Sequence, residues 1–377
     1  MMWSVVSEGA IKLRVPAADV VRASMPVFYN PVMGVNRDIT VLLLRALGEK
    51  GMTIADPLAG SGVRTLRLLK ELPSSAVGAV FVNDANPLFP STLKKNAAMN
   101  KISLKRCVIT SKDANIMLRT SGGFDFIDID PFGSPAPFLD SACMHLSRGG
   151  ILALTATDTA ALSGTSPAAC RRKYWATPLR AHVKHEIGMR ILARKAQLVA
   201  AQYDKALVPI YCHATEHYMR IFLLALKSKT AVEEVLAQHG FVACHDKTGD
   251  FAIRDNNKPN AHEHVAGPLW TGHLWDPELA DDMLTLTRKA PFTTIIRNDT
   301  KRLVTMIAEE SCIDAPFFYD IHDIASKLHR GPPAFEPILV ALGRKGFAAS
   351  RTHFLDSGMR TTAPFATVRK AVTTLAR

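Results

Sequence analysis

The sequence is short of several things, and each shortage removes a class of protein. Six cysteines in 377 residues, irregularly scattered, cannot knit a disulfide framework in a chain this long and suit a reducing compartment. No run reaches the roughly 18 uninterrupted apolar residues of a membrane-spanning helix. Met1 to Ala10 has no basic patch followed by an apolar stretch, so no secretory signal is expected and the cytoplasm fits best. Internal repeats and low-complexity tracts are absent, which excludes a repeat array. Acidic residues are in deficit: 34 against 46 Lys and Arg, for a net charge of +12 and a pI near 9.5. The excess lies in small clusters at Lys94-Lys95, Arg171-Arg172-Lys173, Arg194-Lys195, Arg344-Lys345 and Arg369-Lys370. Such charge favours polyanions through counterion release, although solvated lysines on an ordinary basic protein give the same total.

What remains is a folded globular chain, 47% hydrophobic and 21% charged, long enough for about two domains. The stretch to about Pro31 reads as irregular or hairpin-like. Asp38 reads as the N-cap of a helix through Val41, Leu42, Leu44 and Leu47, stopped at Gly51. Short apolar runs then suit buried parallel strands at Met52-Ala55, Val77-Val82, Cys107-Thr110, Phe124-Ile129 and Ile151-Thr155. Helical patterns at Val63-Leu72, Leu88-Met99, Ala114-Leu118 and Pro137-Leu146 alternate with them, the signature of a doubly wound α/β sheet. Leu207-Cys212 and Tyr218-Lys227 read as an antiparallel hairpin closing that sheet, as in a methyltransferase rather than a dinucleotide-binding domain. The expected fold is therefore α/β, a Rossmann-like methyltransferase sheet over residues 1–229, with a smaller α+β domain over 230–377. In the latter, helical patterns recur at Ala231-Gln238, Pro277-Lys289 and Lys301-Glu310.

Open α/β sheets bind ligands beyond the carboxyl ends of their strands, so those ends carry the chemistry. The first ends in Asp56-Pro57-Leu58-Ala59-Gly60-Ser61-Gly62, whose small residues let a ligand approach the backbone. Thr65 stands where a G-x-G-x-x-G fingerprint needs its third glycine, and a plain tight turn remains an alternative. The second ends in Asn83-Asp84, where a carboxylate can accept from both hydroxyls of a ribose; the third carries Asp113, which could accept from an adenine amine. Each aspartate can equally be a helix N-cap. Asp56, Asp84 and Asp113 at three successive strand ends together point to an adenosine ligand.

The fourth strand runs into Asp130-Pro131-Phe132-Gly133-Ser134-Pro135. A proline-initiated turn would use the same residues. The chemistry of an exocyclic base amine explains more of them. Its lone pair is delocalised into the ring; a carboxylate (Asp130) and a backbone carbonyl (Pro131) accepting its two hydrogens would pull nitrogen towards tetrahedral geometry and aim it at a methyl sulfonium. Phe132 offers a face for an extruded base.

Asp130-Pro131-Phe132-Gly133 resembles the Asn/Asp-Pro-Pro-Tyr/Phe motif of amino-methyltransferases. The longer string from Asp128 to Ala142 resembles the tRNA guanine-26 N2-dimethyltransferase family. So do Val27-Phe28-Tyr29-Asn30-Pro31-Val32-Met33 with Asn36-Arg37-Asp38, Leu154 to Ala160, His185 to Leu192, Gly267-Pro268-Leu269-Trp270-Thr271-Gly272 and Arg351-Thr352-His353-Phe354. The resemblance implies S-adenosyl-L-methionine as cofactor and tRNA as partner, with N2-methyl- and N2,N2-dimethylguanosine as products. It places Arg37, Arg67, Asp84, Asp113 and Ala114 at the cofactor, with Arg37 at its carboxylate. It makes Asp130 the catalytic aspartate and sets Phe28 and Phe132 around the target base, which they are expected to sandwich. The C-terminal domain would help to hold tRNA. No membrane or obligate protein partner is evident. Two rivals stay open at this point: the same chemistry on another RNA base or a protein amide, and a catalytically silent tRNA-binding module.

Other motifs are set aside. His185-Glu186-Ile187-Gly188-Met189 begins like a zinc-protease motif, but Met189 replaces the second histidine, and the helix face is expected to meet tRNA or the neighbouring domain. Cys244, His245, Asp246, His262 and His264 hold one cysteine, too few for a four-thiolate zinc site; a mixed Cys/His site is the alternative, and no metal is expected. Ser4, Ser7, Cys107 and Cys143 have no visible base partner and receive no nucleophilic role.

Overall fold

The computed structural model describes residues 3–16, 27–215 and 217–376. The chain opens with a hairpin of β1 (Trp3–Glu8) and β2 (Ile11–Pro16), paired antiparallel from Trp3–Pro16 to Glu8–Ile11. Of the stretch expected to be irregular or hairpin-like, residues 17–26 lie outside the described residues. Helix α1 (Gly34–Leu47) starts one turn earlier than Asp38 suggested. Pro31–Met33 forms a 3-10 turn capped by Asn30, whose side chain accepts from the Val32 N–H, and this turn seeds the helix. Asp38 is thus no cap but a buried residue inside the helix, its carboxylate 2.6 Å from Arg67 Nη1. Gly48, at φ +67°, ends the helix, before the Gly51 stop read from the pattern.

Strand and helix then alternate: β3 (Met52–Asp56), α2 (Val63–Glu71), β4 (Val77–Asn83), α3 (Phe89–Met99), β5 (Cys107–Thr110) and α4 (Ala114–Arg119). They continue with β6 (Phe124–Ile129), α5 (Leu139–His145), β7 (Leu146–Ala156), α6 (Thr159–Leu162), α7 (Pro167–Tyr174) and α8 (Lys184–Ala201). Strands β8 (Lys205–Ala214) and β9 (Met219–Lys227) complete a seven-stranded sheet of order β5-β4-β3-β6-β7-β9-β8. The first five pair in parallel; β9 runs antiparallel to both β7 and β8. The closing hairpin is where the sequence placed it. Ile54, Val80, Phe126, Ile127 and Leu152 are fully buried, as expected of strands covered by helices on both faces. After β3 the chain winds to one edge and returns at β6 to wind to the other, so a crevice opens between the carboxyl ends of β3 and β6.

Beyond the sheet come α9 (Lys229–Ala237) and a small antiparallel sheet of β10 (His239–His245), β11 (Phe251–Arg254) and β12 (Glu263–Trp270). Then follow α10 (Pro277–Thr287), α11 (Phe292–Ile295) and α12 (Asn298–Ser311). The rest is β13 (Tyr319–Asp320), α13 (Ile321–Lys327), α14 (Phe335–Gly343), β14 (Ala349–Thr352), β15 (Leu355–Thr361) and α15 (Phe365–Leu375). The main core runs without a break from the sheet into this part, through Trp270, Leu279, Ile307 and Phe318. A second core gathers Ile321, Ile338, Val368 and Val372.

Buried charges join the elements. Arg360 Nη2 lies 2.7 Å from Glu186 and 2.9 Å from Glu310, and Glu186 also holds Arg190. The His185–Met189 segment therefore turns its glutamate inwards, to the C-terminal part. Among the described residues no helix is long and apolar enough to cross a membrane.

Candidate active site

A cavity of about 680 Å³ lies over the ends of β3, β4 and β6 and is walled by residues 28–33 and the first turns of α1 and α2. Its floor is the Asp56–Gly62 loop. Gly60 (φ +57°) sits where an added Cβ would come within 3.0 Å of the Phe28 carbonyl oxygen, and Gly62 (φ +76°) where one would strike Leu93. Those two glycines let the loop pass beneath the Phe28 segment and enter α2. Asp84 closes the loop from β4: its Oδ2 accepts from the Gly60 N–H at 2.8 Å and its Oδ1 from the Asn86 N–H at 3.0 Å. Between the glycines, Ser61 is 1% exposed and its Oγ has no hydrogen-bond partner among the described residues. A buried hydroxyl without a partner is costly, and this one lines the cavity.

Asp130 and Pro131 stand at the end of β6, beside that floor. The loop after them is pinned twice. Gly133, at φ +80°, donates its N–H to Thr157 Oγ1 at 2.7 Å and accepts from the Thr157 N–H at 2.9 Å. Ser134 Oγ donates to Tyr174 Oη at 2.7 Å, and Tyr174 donates to Asp158 at 2.6 Å. Phe132 is carried between these anchors and the strand end with 58% of its surface exposed. Asp130 is held from below by Arg64, whose Nη2 lies 2.5 Å from Oδ2. Arg64 also donates to Thr40 and Asn36 and lies 3.2 Å from Asp128, which Arg220 clasps with both nitrogens at 2.8 and 2.6 Å.

The electrostatics follow from that packing. Burial pushes the Asp56 carboxyl up to about 7, against the pull of Arg64, with Asp128 adding to the rise. Burial works in the same direction on Asp128, but Arg220 and Arg64 outweigh it and hold its carboxyl below the ordinary value. Glu8 is desolvated as well, yet Arg37 and Arg67 bring it down to about 2.

The structure gathers Phe28, Arg37, Asp56, Asp84, Asp130, Pro131 and Phe132 around one cavity. It does not bring Arg67, Asp113 or Ala114 into that lining. Arg67 is fully buried, its guanidinium taken by Glu71, Asp38 and Glu8. Asp113 caps α4, accepting from the Asn115 and Ile116 N–H groups, as its alternative reading had it, and Ala114 is buried behind it. Arg37 is shared: Nε and Nη2 bind Glu8 at 2.6 Å each, while Nη1 is left without a protein partner among the described residues. Phe28 and Phe132 meet, but not as a slot. Their centroids are 4.4 Å apart and their planes 80° apart, an edge-to-face contact with no room for a base between.

Sequence reasoning missed Arg64, Asp128, Arg220 and Glu8. Arg64 left one trace, a cation in the first turn of a helix, where the macrodipole disfavours it. Elsewhere, burial raises the Cys244 thiol to about 12, and His262 contacts Lys247 at 2.9 Å. Among the described residues no three His, Cys, Asp or Glu side chains converge as a metal would require.

Comparison with known proteins adds three findings. A family model described as N2,N2-dimethylguanosine tRNA methyltransferase matches residues 9–373. The chain is 40% identical over 380 residues to a tRNA (guanine(26)-N(2)/guanine(27)-N(2))-dimethyltransferase of Aquifex aeolicus, covering 97% of this chain and 95% of that one. It is 38% identical to a tRNA (guanine(26)-N(2))-dimethyltransferase of Methanothermobacter thermautotrophicus, with 95% of each covered. The solved structure of Trm1 from Pyrococcus horikoshii with S-adenosyl-L-methionine superposes with a TM-score of 0.87 at 35% identity, covering 98% of this chain and 99% of that one.

Proposed function

Because this chain belongs to the N2,N2-dimethylguanosine tRNA methyltransferase family, we propose that Asp130 and Pro131 present N2 of a tRNA guanine to S-adenosyl-L-methionine bound in the cavity. The enzyme is an S-adenosylmethionine-dependent tRNA (guanine-26 N2)-methyltransferase. Several observations support the cavity as the cofactor site. Ser61 offers a buried hydroxyl in want of a partner, Asp84 offers carboxylate lone pairs at a strand end, and Arg37 offers a free nitrogen for a carboxylate. The bound cofactor supplies an electrophilic methyl group.

The protein supplies orientation. Asp130 accepts one N2 hydrogen and the Pro131 carbonyl the other, which localises the lone pair. Arg64 occupies one lobe of the Asp130 carboxylate and leaves the remainder for substrate. Each methyl gained costs N2 one proton, which Asp130 is placed to accept and pass to solvent; after the first transfer one N–H remains, and Asp130 orients it for the second. The target base must leave its stack, because N2 lies in the shallow groove of an RNA helix. Residues 230–377 are read as helping to hold the tRNA, and the cytoplasm as the working compartment.

The observation that carries this reading is Asp130, clamped by Arg64 at the mouth of the cavity beside an exposed Phe132. Its test is incubation with S-adenosylmethionine and unmodified tRNA, followed by nucleoside mass analysis. We expect N2-methyl- and N2,N2-dimethylguanosine at position 26, and a fall of about 10²–10³-fold in rate for Asp130→Ala. Methylation of another base, or near wild-type turnover in that variant, would overturn the assignment.

A further inference from the structure

Helix α7 ends in Arg171-Arg172-Lys173-Tyr174 and is followed by Trp175. Three cations in a last turn suit the helix dipole, and that alone would need no further explanation. Trp175 does. It adopts a left-handed backbone (φ +57°), which a side-chain-bearing residue takes at a cost, and it holds its indole 53% exposed. Trp3, Phe132 and Trp175 are the exposed Phe and Trp residues among the described residues.

Beneath the indole lies a second pair of cations from α8. Lys195 is 5% exposed, with Nζ 2.7 Å from the Trp175 ring centroid and, among the described residues, no carboxylate or hydrogen-bond partner. Arg194 reaches only the Trp175 carbonyl, at 3.5 Å, and its buried Nε is unpartnered. Burial brings the Lys195 ammonium down to about 8, with Arg194 adding to the fall. Two neighbouring cations, both partly desolvated and without an acid among the described residues, make a favourable place for an anion from outside. Tyr174, between Lys173 and Trp175, is the residue whose hydroxyl accepts from Ser134 in the reaction loop.

We infer that Arg171, Arg172, Trp175, Arg194 and Lys195 form a grip for the sugar–phosphate backbone of the substrate tRNA, beside the nucleotide whose base enters the active site. This rests on the tRNA reading above. The indole stacks on an unpaired base or sugar, the α8 cations meet a phosphate at its edge, and the α7 arginines meet neighbouring phosphates. Through Tyr174 the grip is joined by one hydrogen bond to the loop that carries Phe132.

The test compares wild type with Trp175→Gly, Lys195→Met and the charge-reversed pair Arg171→Glu/Arg172→Glu. Glycine suits the left-handed backbone and methionine keeps the packing, so these variants are expected to melt no lower than wild type. We expect KM for tRNA to rise at least about 10-fold in the reversed pair, with the slope of log Kd against log salt reduced by about 2. For Trp175→Gly a rise of about 5- to 100-fold is expected, in line with a lost stacking contact. S-adenosylmethionine affinity should be unchanged in all three. Wild-type methylation of tRNA together with wild-type KM and salt slope in the variants would overturn the grip alone. A parallel loss of cofactor affinity would likewise overturn it, in favour of a structural role. A wild-type enzyme that leaves tRNA unmethylated overturns the function itself and the grip with it.

Discussion

At the scale of single residues, Arg64 carries the most consequence. It lies in the first turn of α2, against the helix dipole, and Asp128 and Asp130 compensate it. Removing it would leave two carboxylates facing each other below the reacting amine. Arg64→Met should lower kcat about 100-fold with little change in KM for tRNA, because Asp130 is displaced rather than deleted. Arg64→Lys should restore part of that loss, since it returns the charge without the fork. Steady-state kinetics on the two variants separates positioning from binding.

Asp56 gives a pH signature. Its carboxyl is raised from an ordinary 3.8 to about 7, so near neutrality it is partly protonated in the free protein. A cationic sulfonium nearby favours the carboxylate, and binding then releases a proton. S-adenosylmethionine affinity should therefore rise with pH between about 6 and 8, more than affinity for the uncharged product S-adenosylhomocysteine. Asp56→Asn should flatten the difference. Calorimetry in buffers of different ionisation heat reads the proton directly.

At the scale of elements, helix α7 and the loop after β6 act as one piece through Ser134, Tyr174 and Asp158. Tyr174→Phe removes both hydrogen bonds while keeping the ring. It should cost about 1–3 kcal/mol in thermal unfolding and several-fold in kcat, through a looser Phe132. Strands β3, β4 and β6 were legible in the sequence because largely apolar runs ended in Asp or Asn. Such breaks mark where backbone must turn, and those turns are where the cavity formed. What was not legible is which cations fold inwards. Arg220 lies on β9, some 90 residues from the Asp128 it clasps, and no local pattern announces a pair of that separation. Asp38 misled for a related reason: an aspartate before an apolar run looks like a cap, and only Arg67 and α12 make it a buried anchor. Asp113 shows the reverse case, a strand-end aspartate whose bonds all go to its own helix.

At the scale of the molecule, buried glutamates tie distant segments together. Glu8 joins the N-terminal hairpin to α1 and α2, and Glu310 joins α12 to Arg360 and His353. Burial raises each carboxyl, but neighbouring cations lower both from 4.5 to about 2. A depressed carboxylate adds stability that is complete above its unfolded value and is lost as pH falls through the folded one. Each glutamate therefore contributes about 3 kcal/mol that disappears between pH 4.5 and 2. The melting temperature should drop steeply in that window, and Glu8→Gln should blunt the drop while lowering stability at neutral pH. Arg360→Met should be more damaging, by about 3–5 kcal/mol, because it leaves Glu186 and Glu310 buried together without their shared cation.

If the target guanine is taken between Phe28 and Phe132, their edge-to-face contact also bears on which guanines the enzyme ignores. A base seated between them could enter only after the rings part, and the apparent affinity of a guanine would then be lowered by the fraction of time they stand open. A free nucleotide meets that barrier alone. A guanine within tRNA arrives tethered, at the high effective concentration that contacts elsewhere on the same molecule confer.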